Sequence, residues 1–495
     1  MSLDDDTDRC LCHACVREAY LAREIQRTGD RMRCSFCDEF RPALTLEEFA
    51  DRIEKAFDDH YVRTSPNPDS MQQRMLADRE SDYEWDRDGQ PAGDAIQEAA
   101  GIDEEPALEI LEILSERHAD FDAAKMGEES EFDSEAHYEF KDSDASAWRA
   151  AWQQFEHSLK TEARFFSRAA GGHLASVFNR IHELRSHCGG GSLVVEAGPG
   201  QEIQRLFRAR VFYADEEIEQ AIAHPDAQLG SPPARVAKAG RMNAQGISVF
   251  YGATTSAVAL AEVRPPVGSR VVVAEFSIIR PVRLLDLTAL ASAQDLGSIF
   301  DPTFKGRLER VAFLRTLGRR MARAVMPGDE AIDYLPTQAV ADFLATMNEP
   351  PLDGIVFPSV QAGDVEGLNV VLFHHASAVE PIQLPPGTRL EASTHMETED
   401  GPESHYTVTE VPPAAPVPPS PPTGQLELVD FLFDPLNAAE PIPPRLLQSR
   451  TPALRVDPQS VTVHEVRSVA INAPAEHVHR YRSHRHWSPD DPLFA

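Results

Sequence analysis

Two pairs of cysteines near the start of the sequence have the spacing of a metal site. Two residues separate Cys12 from Cys15 and Cys34 from Cys37, and eighteen residues lie between the pairs. Each pair places two thiolates on one tight turn, so that four thiolates reach one tetrahedral ion. The pattern predicts a structural zinc site without an open position for chemistry.

The same cysteines allow a second interpretation, a redox or coincidental cluster, which is disfavoured because disulfides are rare in cytosolic proteins. Cys10 and His13 lie beside the pairs and are predicted to be bystanders rather than ligands. The sixth cysteine, Cys188, is isolated, and we interpret it as a small core residue.

A pair of arginines in an alternating segment is a second chemical signal. In a predicted strand over 206–213, Phe207, Ala209 and Val211 share one face, which leaves Arg208 and Arg210 together on the other. Two guanidinium groups side by side form a phosphate clamp, because their planar forks pair bidentately with phosphate oxygens. The local pattern alone favours a solvated strand face, and the clamp is the alternative.

A carboxylate in an unfavourable helix position is a third signal. Thr255 caps a predicted helix over 256–263, which Pro265 and Pro266 end. Glu262 falls in the last turn, where the helix dipole disfavours an anion. A residue placed against a local rule is a candidate for function, and an ordinary exposed glutamate is an equal alternative.

Five short segments together resemble the RES domain, a family named for an arginine, a glutamate and a serine. They are Phe-Arg-Ala-Arg at 207–210, Gly-Arg-Met-Asn at 240–243, Val-Phe-Tyr-Gly-Ala at 249–253, Ala-Leu-Ala-Glu-Val at 259–263 and Asp-Gly-Ile-Val-Phe-Pro-Ser at 353–359. The resemblance covers residues 192–380. It implies a fold like that of mono-ADP-ribosyltransferases, NAD as the substrate and a role as the toxin of a toxin–antitoxin pair. By motif match, the family residues fall on Arg208, Arg241, Tyr251, Glu262 and Ser359.

The resemblance also implies a reaction, cleavage of the bond between nicotinamide and ribose. Because this step passes through an oxocarbenium-like state, one carboxylate against the ribose is the principal catalytic need, and Glu262 would supply it. Arg208 and Arg241 would hold the pyrophosphate. Tyr251 would stack on the nicotinamide or hydrogen-bond the ribose, and Ser359 would orient a hydroxyl or a phosphate.

Several functions stay open at this point. Water, phosphate or a side chain can attack the same cation, so the sequence does not separate an NAD glycohydrolase or phosphorylase from an ADP-ribosyltransferase that acts on a macromolecule. A third hypothesis is a non-enzymatic protein that binds a partner or RNA, with the RES-like domain inert. The segment between Glu262 and Ser359 is also longer than the family pattern.

The region before this domain resembles the zinc-plus-helical region, related to HEPN domains, that precedes some RES domains. That resemblance rests on the CxxC pairs and on a predicted long helix with an apolar stripe over 148–166. HEPN ribonucleases use an Arg and a His separated by four to six residues. Arg168 with His173 and Arg180 with His187 have this spacing, which arises easily by chance in such a segment. RNA is therefore not expected as a partner.

The whole sequence predicts a multidomain α+β protein. We expect a zinc-binding module at 1–43, an all-α HEPN-like domain at 44–190, a mixed α/β ADP-ribosyltransferase-like RES domain at 192–380, a Pro-rich linker at 381–425 and a tail at 426–495. The tail contains a predicted strand over 460–471 and several histidines, which fit a solvated segment better than a metal or anion site.

Charge and hydropathy limit the partners and the cellular location that we expect. The 495 residues include 80 acidic and 47 basic side chains, and 40 of the acidic ones fall within the first 150 residues. This excess argues against non-specific binding to nucleic-acid phosphates. Neither a signal-peptide pattern nor an apolar run near ~18 residues is present, so we expect a cytoplasmic protein without a membrane span. The expected partners are NAD and an antitoxin or regulatory protein.

Overall fold

The computed structural model describes residues 9–78, 81–120, 125–126, 128–187, 190–323, 325–326, 328–359, 361, 365–399, 401–413, 450–470 and 475–480. Cys188, residues 414–425 of the predicted linker and residues 426–449 of the predicted tail lie outside these ranges, as do His484 and His486. Within the ranges, no helix is long and apolar enough to cross a membrane.

The cysteine segment and the residues after it, up to about 140, share one hydrophobic core. Buried side chains from Cys10 to Tyr138 pack in the same cluster, so a boundary at 43 is not seen. The predicted all-α character is also wrong here, because the short strand His137–Phe140 pairs with both Tyr61–Arg63 and Gln90–Pro91. The elements are β1 Cys10–Cys12, α1 Ala19–Thr28, β2 Asp30–Arg33, β3 Phe40–Thr45, α2 Leu46–His60, β4 Tyr61–Arg63, α3 Ser70–Ala77, β5 Gln90–Pro91, α4 Ala92–Ala100, α5 Glu104–Arg117 and β6 His137–Phe140.

The next two helices pack on the later part of the chain instead. Trp152 is buried in the cluster that contains Phe313, with ring centroids 5.6 Å apart. The predicted apolar stripe stops at Leu159, since its helix ends at Thr161 and Phe166 is fully exposed. The predicted domain 44–190 therefore divides near residue 145. The elements are α6 Ser146–Thr161, α7 Arg168–Val177 and β7 Arg185–Ser186.

The remaining elements belong mostly to one large mixed sheet and its covering helices. They are β8 Val194–Ala197, β9 Arg205–Phe212, α8 Asp215–Ala223, α9 Pro225–Gln228, β10 Phe250–Ala253, α10 Ser256–Glu262, β11 Arg270–Ile278, β12 Val282–Asp286, β13 Ala293–Gln294, α11 Phe304–Ala322, α12 Glu330–Asp333, α13 Leu335–Thr346, β14 Gly354–Pro358, β15 Leu368–Leu372, β16 Val379–Glu380, β17 Arg389–Thr398, β18 Gly401–Val411, β19 Leu454–Val456 and β20 Thr462–Glu465.

The large sheet has the order β16-β19-β11-β9-β10-β15-β14-β12-β8, and β20 also pairs with β11. Phe207 and Ala209 of β9 pack with α10 on one face, whereas Leu206 and Phe212 belong to the core on the other. The predicted alternation in this strand is thus confirmed. The strands predicted over 270–279, 354–357 and 367–373 and the helices over 256–263 and 337–347 are also found within about two residues of their predicted ends.

The segments predicted as linker and tail contribute to this fold. Residues 389–411 form the hairpin β17–β18 rather than a polyproline-like linker, because β-branched residues alternate there and the proline run begins only at 412. Ala392 and Tyr406 of this hairpin pack against the core of the large sheet. The strands β19 and β20 pair with β11, so the tail completes an edge of the sheet.

Candidate active site and metal centre

The four predicted cysteine ligands meet at one point. The Sγ atom of Cys12 lies 3.7 Å from that of Cys15 and 3.6 Å from that of Cys37, and the Sγ atoms of Cys15 and Cys34 are 3.9 Å apart. All four sulfurs lie within 4.8 Å of one another. Four thiolates about 2.3 Å from a tetrahedral zinc would be roughly 3.8 Å apart. This set of donors could bind a zinc ion.

The local backbone positions these thiols and promotes ionisation of one of them. One pair follows β1 and enters the 3₁₀ turn His13–Cys15, and the other lies in the turn between β2 and β3. Burial opposes ionisation of the Cys34 thiol, but backbone N–H groups, including that of Cys12 at 3.4 Å, lower its pKa to about 7. Cys10 is outside the group, as predicted, and its Sγ donates to the Arg33 carbonyl oxygen instead.

A cavity of about 520 Å³ lies at the large sheet and brings four of the five other predicted residues together. The strands β9 and β10 pair at Phe207 and Ala253, and beyond this point they separate. The cavity lies in this gap, between β9, β10, α10 and the helices α11 and α12. The predicted residues that line it are Arg208, Arg241, Tyr251 and Glu262.

Glu262 is the last residue of α10, whose N-terminus is capped by the Thr255 hydroxyl as predicted. Two donors compensate for its unfavourable place at the helix end. The Ser359 hydroxyl donates to Oε1 over 2.5 Å, and Asn369 Nδ2 donates to the same oxygen over 2.7 Å. Among the described residues, no hydrogen-bond donor reaches Oε2. The carboxylate is therefore fixed through one oxygen, and the other is available to a ligand.

Among the described residues, Arg208 has no ion-pair partner. Its Cζ lies 4.9 Å from the centroid of the Phe250 ring, and its buried Nη1 has no hydrogen-bond partner. Burial, reinforced by nearby Arg210, lowers the pKa of Arg208 to about 10, so the side chain stays charged at neutral pH. Arg210 is exposed and donates to the Gln228 carbonyl oxygen, so the two arginines do not form the alternative clamp. An unpaired buried charge is costly, and an anionic ligand would offset that cost.

Arg241 lies on a loop held by the helices of the long segment between Glu262 and Ser359. Its Nη1 donates to the carbonyl oxygens of Met321 and Arg323 at the end of α11, over 2.8 and 2.6 Å. Its Cζ lies 5.5 Å from the centroid of the Tyr334 ring. The guanidinium group is thus oriented from two sides, while Nε and Nη2 make no hydrogen bond with the described residues.

The hydroxyl of Tyr251 forms hydrogen bonds that stabilise the neighbouring loop. It donates to Asn243 Oδ1 over 2.8 Å and accepts from the Met242 backbone N–H over 3.0 Å. Burial raises the pKa of Tyr251 to about 12. A Cβ on Gly240 would lie 2.6 Å from this hydroxyl, so only glycine allows the close approach. The ring lines the cavity, and the hydroxyl fixes the loop that carries Arg241.

Sequence reasoning missed three residues of the site. Asn369 and Asn243 are both buried, and each binds a residue that was predicted from the family motifs. An asparagine inside the apolar run Leu-Asn-Val-Val-Leu at 368–372 is a signal for Asn369, because asparagine is depleted in strands. Tyr334 lines the cavity from a segment outside the five motifs, so no motif points to it.

The two Arg and His pairs that have the spacing of HEPN ribonucleases lie before the large sheet, and their contacts are structural. His173 packs against the rings of Trp152 and Phe155, and burial lowers its pKa. Arg168 is exposed. Arg180 pairs with Glu183. These contacts are those of a helix surface packed on a core, and they bring no support for a nuclease.

Comparison with known proteins bears on the cavity. Residues 205–392 match the family model of the RES domain. This region is a RES domain. The match runs from β9 into β17 and therefore includes every residue of the cavity named above, together with the long helical segment. RES domains are associated with NAD-related enzymatic activity and with toxin–antitoxin pairs. Neither the curated proteins nor the solved structures contain a match to the chain.

Proposed function

We propose that the RES domain degrades NAD by cleaving the bond between nicotinamide and ribose, as a glycohydrolase or a phosphorylase. The observation that carries the proposal is the state of Glu262. Its carboxylate is held by Ser359 and Asn369 through one oxygen, and no described residue donates to the second oxygen. The same cavity contains Arg208, whose cation is not paired by any described residue. One fixed carboxylate and one unmatched cation suit a ligand with a cationic centre and phosphates.

The charges on NAD change in a way that fits these groups. When the C1′–N bond breaks, its electron pair leaves with nicotinamide, which is cationic in NAD and departs as a neutral molecule. The positive charge moves to the ribose as an oxocarbenium ion. A preorganised carboxylate stabilises such a charge more in the transition state than in the ground state. Water then adds to C1′ and releases a proton to give ADP-ribose, or phosphate adds to give ADP-ribose 1-phosphate.

The remaining residues take supporting roles in this proposal. Arg208 and Arg241 bind the pyrophosphate, since each offers guanidinium N–H groups that no described residue accepts. Tyr251 contributes its ring to the wall, and its hydroxyl holds the Arg241 loop. Ser359 positions Glu262 rather than binding the substrate directly, because its hydroxyl already donates to that carboxylate.

We further propose that Cys12, Cys15, Cys34 and Cys37 hold one structural zinc ion. All four donors are cysteine sulfurs at distances that suit a tetrahedral ion, and a fourfold protein set leaves no open position for a reaction. Bound zinc would tie the β1 turn to the turn between β2 and β3. We also propose an antitoxin or regulatory partner, and the family association is its sole support.

The test uses the full chain and Glu262→Gln, which keeps shape and polarity while removing the charge. Each protein is incubated with NAD, with and without phosphate and candidate acceptor proteins, and products are identified by mass. We expect the wild type to release nicotinamide with ADP-ribose or its 1-phosphate. Glu262→Gln should bind NAD with near-normal affinity, but its turnover should fall by about a hundred-fold or more. Glu216→Gln, on the exposed start of α8, is the matched control.

The outcomes separate the open functions. Acceptor proteins that gain the mass of ADP-ribose would indicate an ADP-ribosyltransferase. Equal turnover by the wild type and Glu262→Gln would assign the catalytic carboxylate elsewhere. Intact NAD under every condition would contradict the proposal and favour a non-enzymatic binding protein.

A further inference from the structure

The helical segment between Glu262 and Ser359 adds a wall to the cavity that the proposed mechanism does not use. Glu330 begins α12, and Tyr334 follows α12 directly. Residues four apart lie on the same side of a helical turn, and both side chains line the cavity. The segment therefore contributes one carboxylate and one aromatic ring to the site.

This wall is held in place relative to Arg241, one of the two residues proposed to bind the pyrophosphate. The Tyr334 ring lies 5.5 Å from Arg241 Cζ. At the start of α13, the Thr337 hydroxyl donates to the Arg241 carbonyl oxygen over 2.5 Å, and Gln338 Nε2 donates to the Gly240 carbonyl oxygen over 2.8 Å. Because the same short segment holds the loop at three points, the wall and Arg241 keep a fixed relation.

The charge of Glu330 requires an explanation in a cavity suited to phosphates. Three arginines, Arg208, Arg241 and Arg264, line the same cavity, which favours anionic ligands. Unlike Glu262, whose oxygen is bound by two donors, Glu330 makes no side-chain hydrogen bond or ion pair with the described residues. A free carboxylate repels phosphate groups, but it is a good acceptor for sugar hydroxyls.

A dinucleotide has one nucleoside on each side of its pyrophosphate. The position of one nucleoside in the cavity therefore determines where the other one lies. If the nicotinamide ribose lies at Glu262 and the pyrophosphate at Arg241, the adenosine half extends past Arg241 along the wall of Tyr334 and Glu330. Resting on the proposed function, we propose that Glu330 accepts hydrogen bonds from the adenosine ribose hydroxyls and excludes a phosphate at the 2′ position. The site then selects NAD against NADP by the charge of one side chain.

Binding measurements test this selectivity without relying on the reaction. Dissociation constants for NAD and NADP are measured by calorimetry on full chains that carry Glu262→Gln, so that no substrate is consumed. We expect NAD to bind at least about ten-fold more tightly than NADP, and addition of Glu330→Gln to remove most of this preference by improving NADP binding. Glu330→Lys should reverse it. Glu216→Gln, also an exposed glutamate in the first turn of a helix, should leave the ratio unchanged.

The result that would overturn the inference is an NAD to NADP ratio that stays the same in Glu330→Gln and Glu330→Lys, or a parent protein that binds both equally. Turnover of NAD by the chain without Glu262→Gln is measured in parallel. A chain that shows the expected change of ratio but never cleaves NAD would contradict the proposed reaction and support the selectivity. A chain that binds neither dinucleotide would contradict both.

Discussion

The proposed metal centre and the cavity at the large sheet differ in how far apart their residues lie along the chain. The four cysteines fall between residues 12 and 37, and each pair lies on one turn. The cavity instead gathers residues from β9, a loop, β10, α10 and the segment after β14. Spacing therefore predicts both the ligands and the geometry of the metal centre. In the cavity, the motifs indicate which residues matter, and only the fold shows what each one touches.

The two sites also differ in their relation to stability. A structural zinc contributes its binding free energy to folding, about 10–16 kcal/mol in zinc-finger peptides. The cavity residues are proposed to contact a ligand, and the buried Nη1 of Arg208 has no hydrogen-bond partner among the described residues. Changes at the metal centre should therefore damage the fold, whereas changes in the cavity should damage binding or turnover and leave the fold intact.

The largest effect is expected for Cys34→Ser. Cys34 is buried in the core shared by residues 10 to 138, and its loss removes one of the four proposed zinc ligands. The protein should lose its zinc, about one ion per chain, and the region up to residue 140 should become sensitive to protease. The large sheet should stay folded. Metal analysis and limited proteolysis followed by mass spectrometry check this.

Cys10→Ser is the matched control for that variant. Cys10 is equally buried in the same core but lies outside the metal group, and its thiol donates to a carbonyl oxygen that a serine hydroxyl can also reach. It should keep the zinc and the protease resistance. Metal-free Cys34→Ser with an intact first region would show that bound zinc does not stabilise this region.

The next largest effect is expected for Arg208→Ala. Loss of a bidentate phosphate contact costs about 1.5–3 kcal/mol, so NAD affinity should fall about ten- to a hundred-fold. Arg208→Lys should recover little of it, because an ammonium group cannot reproduce the planar fork. The melting temperature without NAD should not fall, since the variant removes an unpaired buried charge. Calorimetric titration and thermal unfolding provide the two measurements.

Arg210→Ala is the control for this change, because Arg210 is the neighbouring arginine on the same strand face but is exposed and bonded to the backbone. It should bind NAD normally. Equal affinities in the wild type and Arg208→Ala would remove Arg208 from the site, and a lower melting temperature in Arg208→Ala would give it a structural role like that of the cysteines.

The limits of prediction from sequence follow the same division. Alternation in β9 and the Thr255 cap are local patterns, and the structure confirms both. The contact of Asn369 with Glu262 depends on cross-strand register, which places Asn369 between Ala253 and Phe357. No local pattern specifies that register. Likewise, the apolar stripe of α6 indicates that the helix packs, but not that it packs on the RES domain.

A smaller effect is expected for Asn369→Leu, which removes one of the two donors to Glu262 and replaces the amide with an apolar branched side chain of the same number of heavy atoms. The carboxylate should lose its fixed orientation, so kcat should fall about ten-fold while KM for NAD changes little. Asn369→Asp should be worse, because it places a second negative charge against Glu262. If Asn369→Leu raises KM without lowering kcat, Asn369 contacts the substrate instead of positioning Glu262.

The smallest effect is expected for Tyr251→Phe, and it separates a framework role from a catalytic one. The variant removes the hydroxyl that bonds Asn243 and Met242, at a cost of about 1 kcal/mol. The loop carrying Arg241 should loosen, so KM for NAD should rise about three- to five-fold while kcat stays nearly constant.

Because burial raises the pKa of Tyr251 to about 12, the folded protein keeps this proton in a pH range where an exposed tyrosine loses it. The hydroxyl should therefore contribute no titration to the turnover of NAD below about pH 10. A large fall in kcat at unchanged KM, or an ionisation below pH 10 that disappears in Tyr251→Phe, would instead make the hydroxyl part of the reaction.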